Sequence, residues 1–235
     1  MELLARCFDH ASQKMRFYKG FRMLTLGWTD GATFMPLDFS LLSSKNARIN
    51  GISKNIDKRS SGYKRRLEAL QSAPEQLPAM IQRALSAGVE ASYVLMDTWF
   101  TQQPLIQSIV EQGLDVIGMV KATNQRYLVN CKRVDLKGLY RLATPVTGSK
   151  GILRSIRTTM SNGVTVNKKS EWLAILSTDC TLSEREIVRI YGMRWDIEVF
   201  FKTTKSLLKL QKEFQGRSYD LLIDRTLGGM FYELC

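Results

Sequence analysis

Two apolar, β-favouring runs occupy residues 21–28 and 32–42, and Thr29-Asp30-Gly31 lies between them. Asp-Gly flanked by such runs is a strong hairpin signal, because the turn needs residues that tolerate positive φ. Before it, the stretch to Tyr18 reads as a short amphipathic helix. After it, residues 45–66 (KNARINGISKNIDKRSSGYKRR) are polar, basic and poor in large apolar groups, the pattern of an exposed loop or arm. Helical spacing resumes over 64–71 and 74–87, where Leu77, Met80, Ile81 and Leu85 recur.

The middle of the chain changes period. SYVLMDTWF holds a short apolar run, Tyr93 to Met96, that ends on Asp97: a buried strand with an acid at its C-terminal tip. A helix over 103–112, opened by Pro104, and a second buried strand over 115–120 follow. Strand, helix and strand in succession predict an α/β layer with a parallel pair. Residues 121–179 then break into strand-like pieces at 126–129, 152–159, 163–166 and 172–177, a small β-rich insertion. The longest helical segment spans 183–210, with Ser183 and Glu186 spaced as a capping box.

Composition narrows the chemistry. With 235 residues, 44% of them hydrophobic, the chain can bury a sizeable core. No apolar run reaches the roughly 18 residues of a membrane span, and no signal peptide is visible, so a cytoplasmic protein is expected. A net charge of +12 points to a polyanionic partner, DNA or RNA first. The cysteines (Cys7, Cys131, Cys180, Cys235) form no C-x-x-C pair and only one histidine, His10, is present. That argues against structural zinc and against Ser-His or Cys-His hydrolysis, and His10 reads as a packed or surface residue.

The late helix carries the most specific pattern. On a wheel of about 100° per residue, Tyr191, Arg194, Lys202 and Lys205 fall within about 40° of Glu198, while Met193, Ile197, Phe200 and Leu207 form the opposite, core-facing stripe. A lone carboxylate among a phenol, a guanidinium and two ammonium groups has two readings. It is a solvated row of i,i+4 ion pairs, or a metal-bound carboxylate beside phosphate-binding cations.

The spacing Tyr191-x2-Arg194-x3-Glu198-x6-Lys205 resembles the Y-R-E-K signature of the IS4-type DDE transposases of bacterial insertion sequences. The surrounding ILSTD and IY-x2-RW-x-IE-x-FFK strings are similar too, and VLMDTWF resembles the segment that holds the family's second acid. The resemblance covers nearly the whole chain. It implies an RNase H-like mixed sheet with flanking helices and a β-rich insertion before the last catalytic helix. In that frame residues 1–120 are the first half of the catalytic core, 121–180 the insertion, and 181–235 the C-terminal part with the motif. Asp97 and Glu198 would be the second and third metal-binding acids, 101 positions apart, and Tyr191, Arg194 and Lys205 would contact DNA phosphates. The implied cofactor is a pair of Mg²⁺ ions, with Mn²⁺ as a substitute. The implied partners are double-stranded DNA, as transposon ends and target, and a second copy in a homodimer.

One part of the family pattern has no match. The first acid sits in a D-D-[ST]-like segment just before the hairpin, and neither Asp9 nor Asp30 stands in such a segment. The expectation is therefore that the first acid lies upstream of residue 1, that the chain is an incomplete copy, and that alone it binds DNA without cutting it. The implied reaction is phosphoryl transfer on DNA, in which two metals activate a water or a 3′-OH and stabilise the leaving oxygen. Two rival readings are an RNase H-fold nuclease without strand transfer, and a non-catalytic DNA-binding fragment or regulator.

Overall fold

The computed structural model describes residues 1–8, 17–123, 125–147, 153–158, 162–168, 171–206 and 218–232. His10, Asp9, Leu207 and Cys235 lie outside these. The chain forms two compact units, Met1–Gly88 together with Asp196–Cys235, and Val89–Trp195. Together they hold a mixed α/β set of sheets and helices.

The first unit is built on the expected hairpin. Strands β3 (Arg22–Thr29) and β4 (Phe34–Leu42) pair antiparallel from Arg22↔Leu42 to Thr29↔Phe34. Asp30 closes the turn by accepting the Ala32 and Thr33 amides at 2.9 and 2.7 Å, and Gly31 supplies the positive φ of +90°. Those two amides, Thr33 first, hold the Asp30 carboxyl below its usual range. Asp30 is thus a turn-former. At the bulge between Leu26 and Gly27 a Cβ on Gly27 would run into the Phe34 ring, so a larger residue there would require that ring to move.

The described parts of the opening stretch, residues 1–8 and 17–18, are not helical. Two four-residue strands, β1 (Ala5–Phe8) and β2 (Phe17–Gly20), pair antiparallel instead. A segment this short gains little from helical propensity, and pairing satisfies its backbone with a neighbour's. The basic stretch is also more ordered than a free arm. Its last residues enter α1 (Ser61–Glu68), capped by the Ser60 side chain on the Tyr63 amide. Helix α2 (Ala73–Ser86) follows, with a Ser72/Glu75 capping box, and buries Leu77, Met80 and Ile81 as the spacing predicts.

Helices α6 (Trp195–Ser206) and α7 (Tyr219–Tyr232) are the later helices of the chain, and α6 enters this unit at Asp196. Phe200 and Met230 join Leu3, Phe39, Leu41, Ala69 and Tyr219 in its core. At the centre, Arg66 is only 2% exposed. Its guanidinium donates to both Asp220 oxygens at 2.7 and 2.8 Å, to Glu2 Oε2 at 2.7 Å and to the Gly62 carbonyl, and it lies over the Tyr219 ring. A second group of ion pairs, Arg65 and Arg83 with Asp38 and Glu68, ties α1 and α2 to β4.

The second unit is organised by one six-stranded mixed sheet. Strand β5 (Tyr93–Met96), helix α3 (Gln103–Val110) and strand β6 (Asp115–Val120) form the expected parallel pair, in register from Tyr93↔Asp115 to Met96↔Gly118. A small hairpin, β7 (Tyr127–Val129) and β8 (Lys132–Val134), precedes helix α4 (Leu136–Leu142). Strands β9 (Thr144–Pro145), β10 (Leu153–Arg157), β11 (Asn162–Lys168) and β12 (Glu171–Ser177) then extend the sheet, in the order β5-β6-β12-β11-β10-β9. The β-rich stretch thus pairs directly onto β6 through β12.

Helix α5 (Glu184–Gly192) carries the expected capping box: the Ser183 hydroxyl accepts the Glu186 amide, and Glu186 Oε2 accepts the Ser183 amide at 2.9 Å. The single long helix expected from 183 onward is two. Met193 N bonds Ile190 O at 3.0 Å and Arg194 N bonds Tyr191 O at 3.1 Å. These three-residue links tighten the backbone out of the α-ladder between α5 and α6. Among the described residues no helix is long and apolar enough to cross a membrane.

The Asp220 carboxyl is held below its ordinary range, chiefly by its bonds to Arg66. Its folded value is therefore lower than its unfolded one, so its contribution is complete above the unfolded value and lost as pH falls through the folded one. The Asp220 side chain is largely open to solvent, which screens the pair, so Asp220→Asn is expected to lower stability by no more than about 1 kcal/mol at pH 7. Urea melts of variant and wild type should differ at pH 7 and converge only when the pH falls below the ordinary carboxylate range, through the lowered folded value of Asp220.

Candidate functional site

Asp97 stands where its sequence context predicts, on the residue after β5. The chain turns there at once. Asp97 Oδ1 accepts the Trp99 amide at 2.8 Å, and the Asp97 carbonyl accepts the Phe100 and Thr101 amides, both at 3.2 Å. The Thr101 hydroxyl donates to the same carbonyl at 2.8 Å. This one-turn cage fixes the Asp97 backbone and commits one carboxylate oxygen inward, which leaves Oδ2 as the oxygen for a ligand. Trp99 projects from the turn, 69% exposed.

Thr101 and Gly118 are parts of this site that sequence reading did not single out. Thr101 is buried, and a Cβ on Gly118 would lie 2.5 Å from its hydroxyl and 2.9 Å from its methyl. Gly118, in the middle of β6, is what lets the post-Asp97 turn lie down on the sheet. The only sequence signal was a glycine inside an otherwise continuous apolar strand, which marks a close approach.

Tyr191 and Arg194 belong to the same unit as Asp97. Tyr191 is buried in the cluster of Ile117, Ile175, Ile187 and Ile190, with the Arg194 guanidinium 5.6 Å from its ring centre. The ring thus supports the cation from below, an arrangement of favourable electrostatics on a π-face. Glu198 and Lys205 belong to the other unit, both exposed on α6, as is Lys202. Because the helix breaks at Met193–Arg194, one continuous wheel does not relate Tyr191 and Arg194 to Glu198; it applies separately on each side. On the α6 side the wheel holds: Phe200 and Thr204 face the core while Glu198, Lys202 and Lys205 face solvent. Asp196 anchors the start of α6 by accepting the Thr29 hydroxyl at 2.7 Å.

At the opposite end of β5 a second polar group has a structural role. Tyr93 OH donates to Asp179 at 2.9 Å, and the Thr178 hydroxyl donates to Asp115 at 2.6 Å. Thr181 holds the Asp179 carboxyl below its usual range, while burial and then Asp179 push the Tyr93 phenol up. These bonds latch the end of β12 to the starts of β5 and β6.

A family model described as "DDE superfamily endonuclease" matches residues 2–137, more than half of the chain and inclusive of Asp97. The chain belongs to this superfamily. Its activity is accordingly of the nuclease or transposase type, its substrate DNA, and its chemistry of a kind that generally depends on a divalent metal. No curated protein gives a significant match. Carboxylate oxygens such as those of Asp97 and Glu198 suit a hard divalent cation, and the uncommitted Asp97 oxygen fits that use. Among the described residues no group of three or more His, Cys, Asp or Glu side chains is assembled that could hold a metal.

Gly118→Ala should push Thr101 off the sheet. The expected cost is about 1–3 kcal/mol, as for other overpacked sites, measured by urea denaturation. The double variant Gly118→Ala with Thr101→Ser, which removes the closest carbon, should recover part of it.

Proposed function

We propose that this DDE endonuclease is a transposase of the IS4 type, cutting DNA at the ends of an insertion sequence and joining the 3′-OH to target DNA. The carrying observation is Asp97, an acid caged at the tip of the half-buried edge strand β5, parallel to β6, within the part of the chain that matches the superfamily. The Y-R-E-K spacing around Glu198 supports the finer assignment, as does the mixed sheet, which agrees with an RNase H-like core.

Asp97 and Glu198 are the metal-binding carboxylates in this reading, and Mg²⁺ is the metal. When bound, the metal lowers the cost of charge that develops on the attacking and leaving oxygens of phosphoryl transfer. The remaining work belongs to the protein's cations. Arg194 presents a planar fork suited to two phosphate oxygens, and its Tyr191 support limits the rotamers it must lose on binding. Lys205 adds a point charge from the exposed face of α6. Tyr191 acts through Arg194, since its ring is in the core.

Two measurements test the assignment independently of turnover. Mn²⁺ binding followed by electron paramagnetic resonance should be lost in Asp97→Asn and in Glu198→Gln, with folding unchanged; Mn²⁺ affinity equal to wild type in both would remove them from the metal site. In EDTA, Arg194→Ala and Lys205→Ala should each reduce the slope of log Kobs against log salt for duplex DNA by about 1. Slopes equal to wild type would return both residues to ordinary surface ion pairing. Joining of a labelled 3′-OH end to a second duplex separates transposition from simple cleavage.

A further inference from the structure

The basic segment between the hairpin and α1 is anchored to its unit, and three of its five cations are paired with no carboxylate among the described residues. Residues 45–59 hold five cations, Lys45, Arg48, Lys54, Lys58 and Arg59, against the single acid Asp57. Chains of like charge spread apart when free. This one is pinned over residues 47–53, and a turn closed by Asp57 leads it into α1. Arg6 N donates to Ala47 O at 3.0 Å and Ile49 N to Leu4 O at 2.7 Å, so Arg48 sits opposite Ala5 in a β-bridge. Asn50 donates to the Met1 carbonyl at 2.8 Å, and Ser53 N donates to Glu2 Oε1 at 2.7 Å. Ile52 packs against the core of the unit.

The anchors all point inward, and the charges do not. Lys45 shares Glu75 at 3.7 Å and Arg59 pairs with Asp57 at 3.3 Å. Arg48, Lys54 and Lys58 are exposed, and among the described residues no carboxylate pairs with them. Exposed Asn46, Ser53 and Asn55 intersperse hydrogen-bonding groups among the cations. Ile49, 43% exposed, is the one large apolar side chain the segment shows to solvent. A surface of ordered cations and small polar groups, nearly without apolar area, suits a phosphate backbone better than a protein.

We propose that residues 45–59 form a DNA-docking surface, in which Arg48, Lys54 and Lys58 bind backbone phosphates of duplex DNA without reading sequence. The surface is additional to Arg194 and Lys205, and it rests on the DNA-acting reading above. Ordering the cations in advance removes part of the entropy cost of each phosphate contact. Phosphate contacts of this kind set affinity and position, and their release of counterions makes them measurable.

The test compares the full chain with the triple variant Arg48→Gln/Lys54→Gln/Lys58→Gln, which keeps the side-chain stems and removes the charge. Binding of a fluorescein-labelled duplex of arbitrary sequence is followed by anisotropy in EDTA over a salt series. Far-UV circular dichroism checks folding. The variant should bind more weakly, and its log–log salt slope should fall by about 3. A charge-matched control, Lys132→Gln/Lys137→Gln/Arg133→Gln in the other unit, should change the slope by less than 1. If the triple variant does not fold, Lys54→Gln/Lys58→Gln leaves the bridge at Arg48 intact and should lower the slope by about 2. A wild-type slope in the arm variants, or an equal drop in the control, overturns the docking surface while leaving the DNA-acting reading in place. No salt-dependent binding by the wild-type chain overturns both.

Discussion

A buried guanidinium has to be neutralised and hydrogen-bonded, or it will not stay buried. Arg66 meets that demand with one local group, the Gly62 carbonyl one turn earlier in α1, and with two distant parts of the first unit: Glu2 at the start of the chain, and Asp220 and Tyr219 at the start of α7. Much of what else the unit does follows from this. Glu2, held by Arg66 through one oxygen, uses the other to hold the Ser53 amide, so the same ion pair that closes the core also fixes the basic segment. Tyr219, under the guanidinium, is buried and its phenol is pushed well up, chiefly by desolvation. The charge that the segment displays outward thus depends on a charge satisfied inside.

The second unit obeys a different constraint, close approach. Asp97 is placed by a turn that must lie flat on β6, and that turn has room only because residue 118 carries no side chain. The acid is held by its own backbone and by Thr101, and its position does not rely on long, mobile side chains. Such rigidity is what a metal-binding carboxylate needs if little is to be lost in ordering it on binding. Arg194 is treated likewise, resting on a tyrosine ring that the isoleucine core holds in place.

Several elements were legible in the sequence because their signals are local. The hairpin around Asp30-Gly31 and the capping boxes at Ser72 and Ser183 depend on neighbours a few residues away, and the parallel pair of β5 and β6 follows from a strand-helix-strand order read within 28 residues. The acid at the tip of β5 was legible for the same reason, since a short apolar run that ends in Asp leaves that Asp at the strand's edge. The described ends of the opening stretch and the segment from 183 differ from what the sequence predicts. In the first, strand pairing between Ala5 and Gly20 outweighs a weak amphipathic pattern. In the second, no proline interrupts Gly192–Trp195, and the wheel runs smoothly over a backbone that tightens.

By itself, then, the sequence determined periods, turns, caps and the spacing of the Y-R-E-K residues, all set by steric and hydrogen-bonding rules that act within a few residues. It also determined the excess of positive charge. Tertiary structure decided which charges are spent and which remain. Arg66, in a run of eight residues with Arg59, Lys64 and Arg65, looks no different from them in sequence, yet it is buried and paired while Lys54 and Lys58 face solvent unpaired. Tyr191 reads as a phosphate ligand on a wheel, yet its ring lies in an apolar core. Ion pairing reaches a residue 154 positions away, from Arg66 to Asp220, and a linear pattern carries no record of which distant partner arrives.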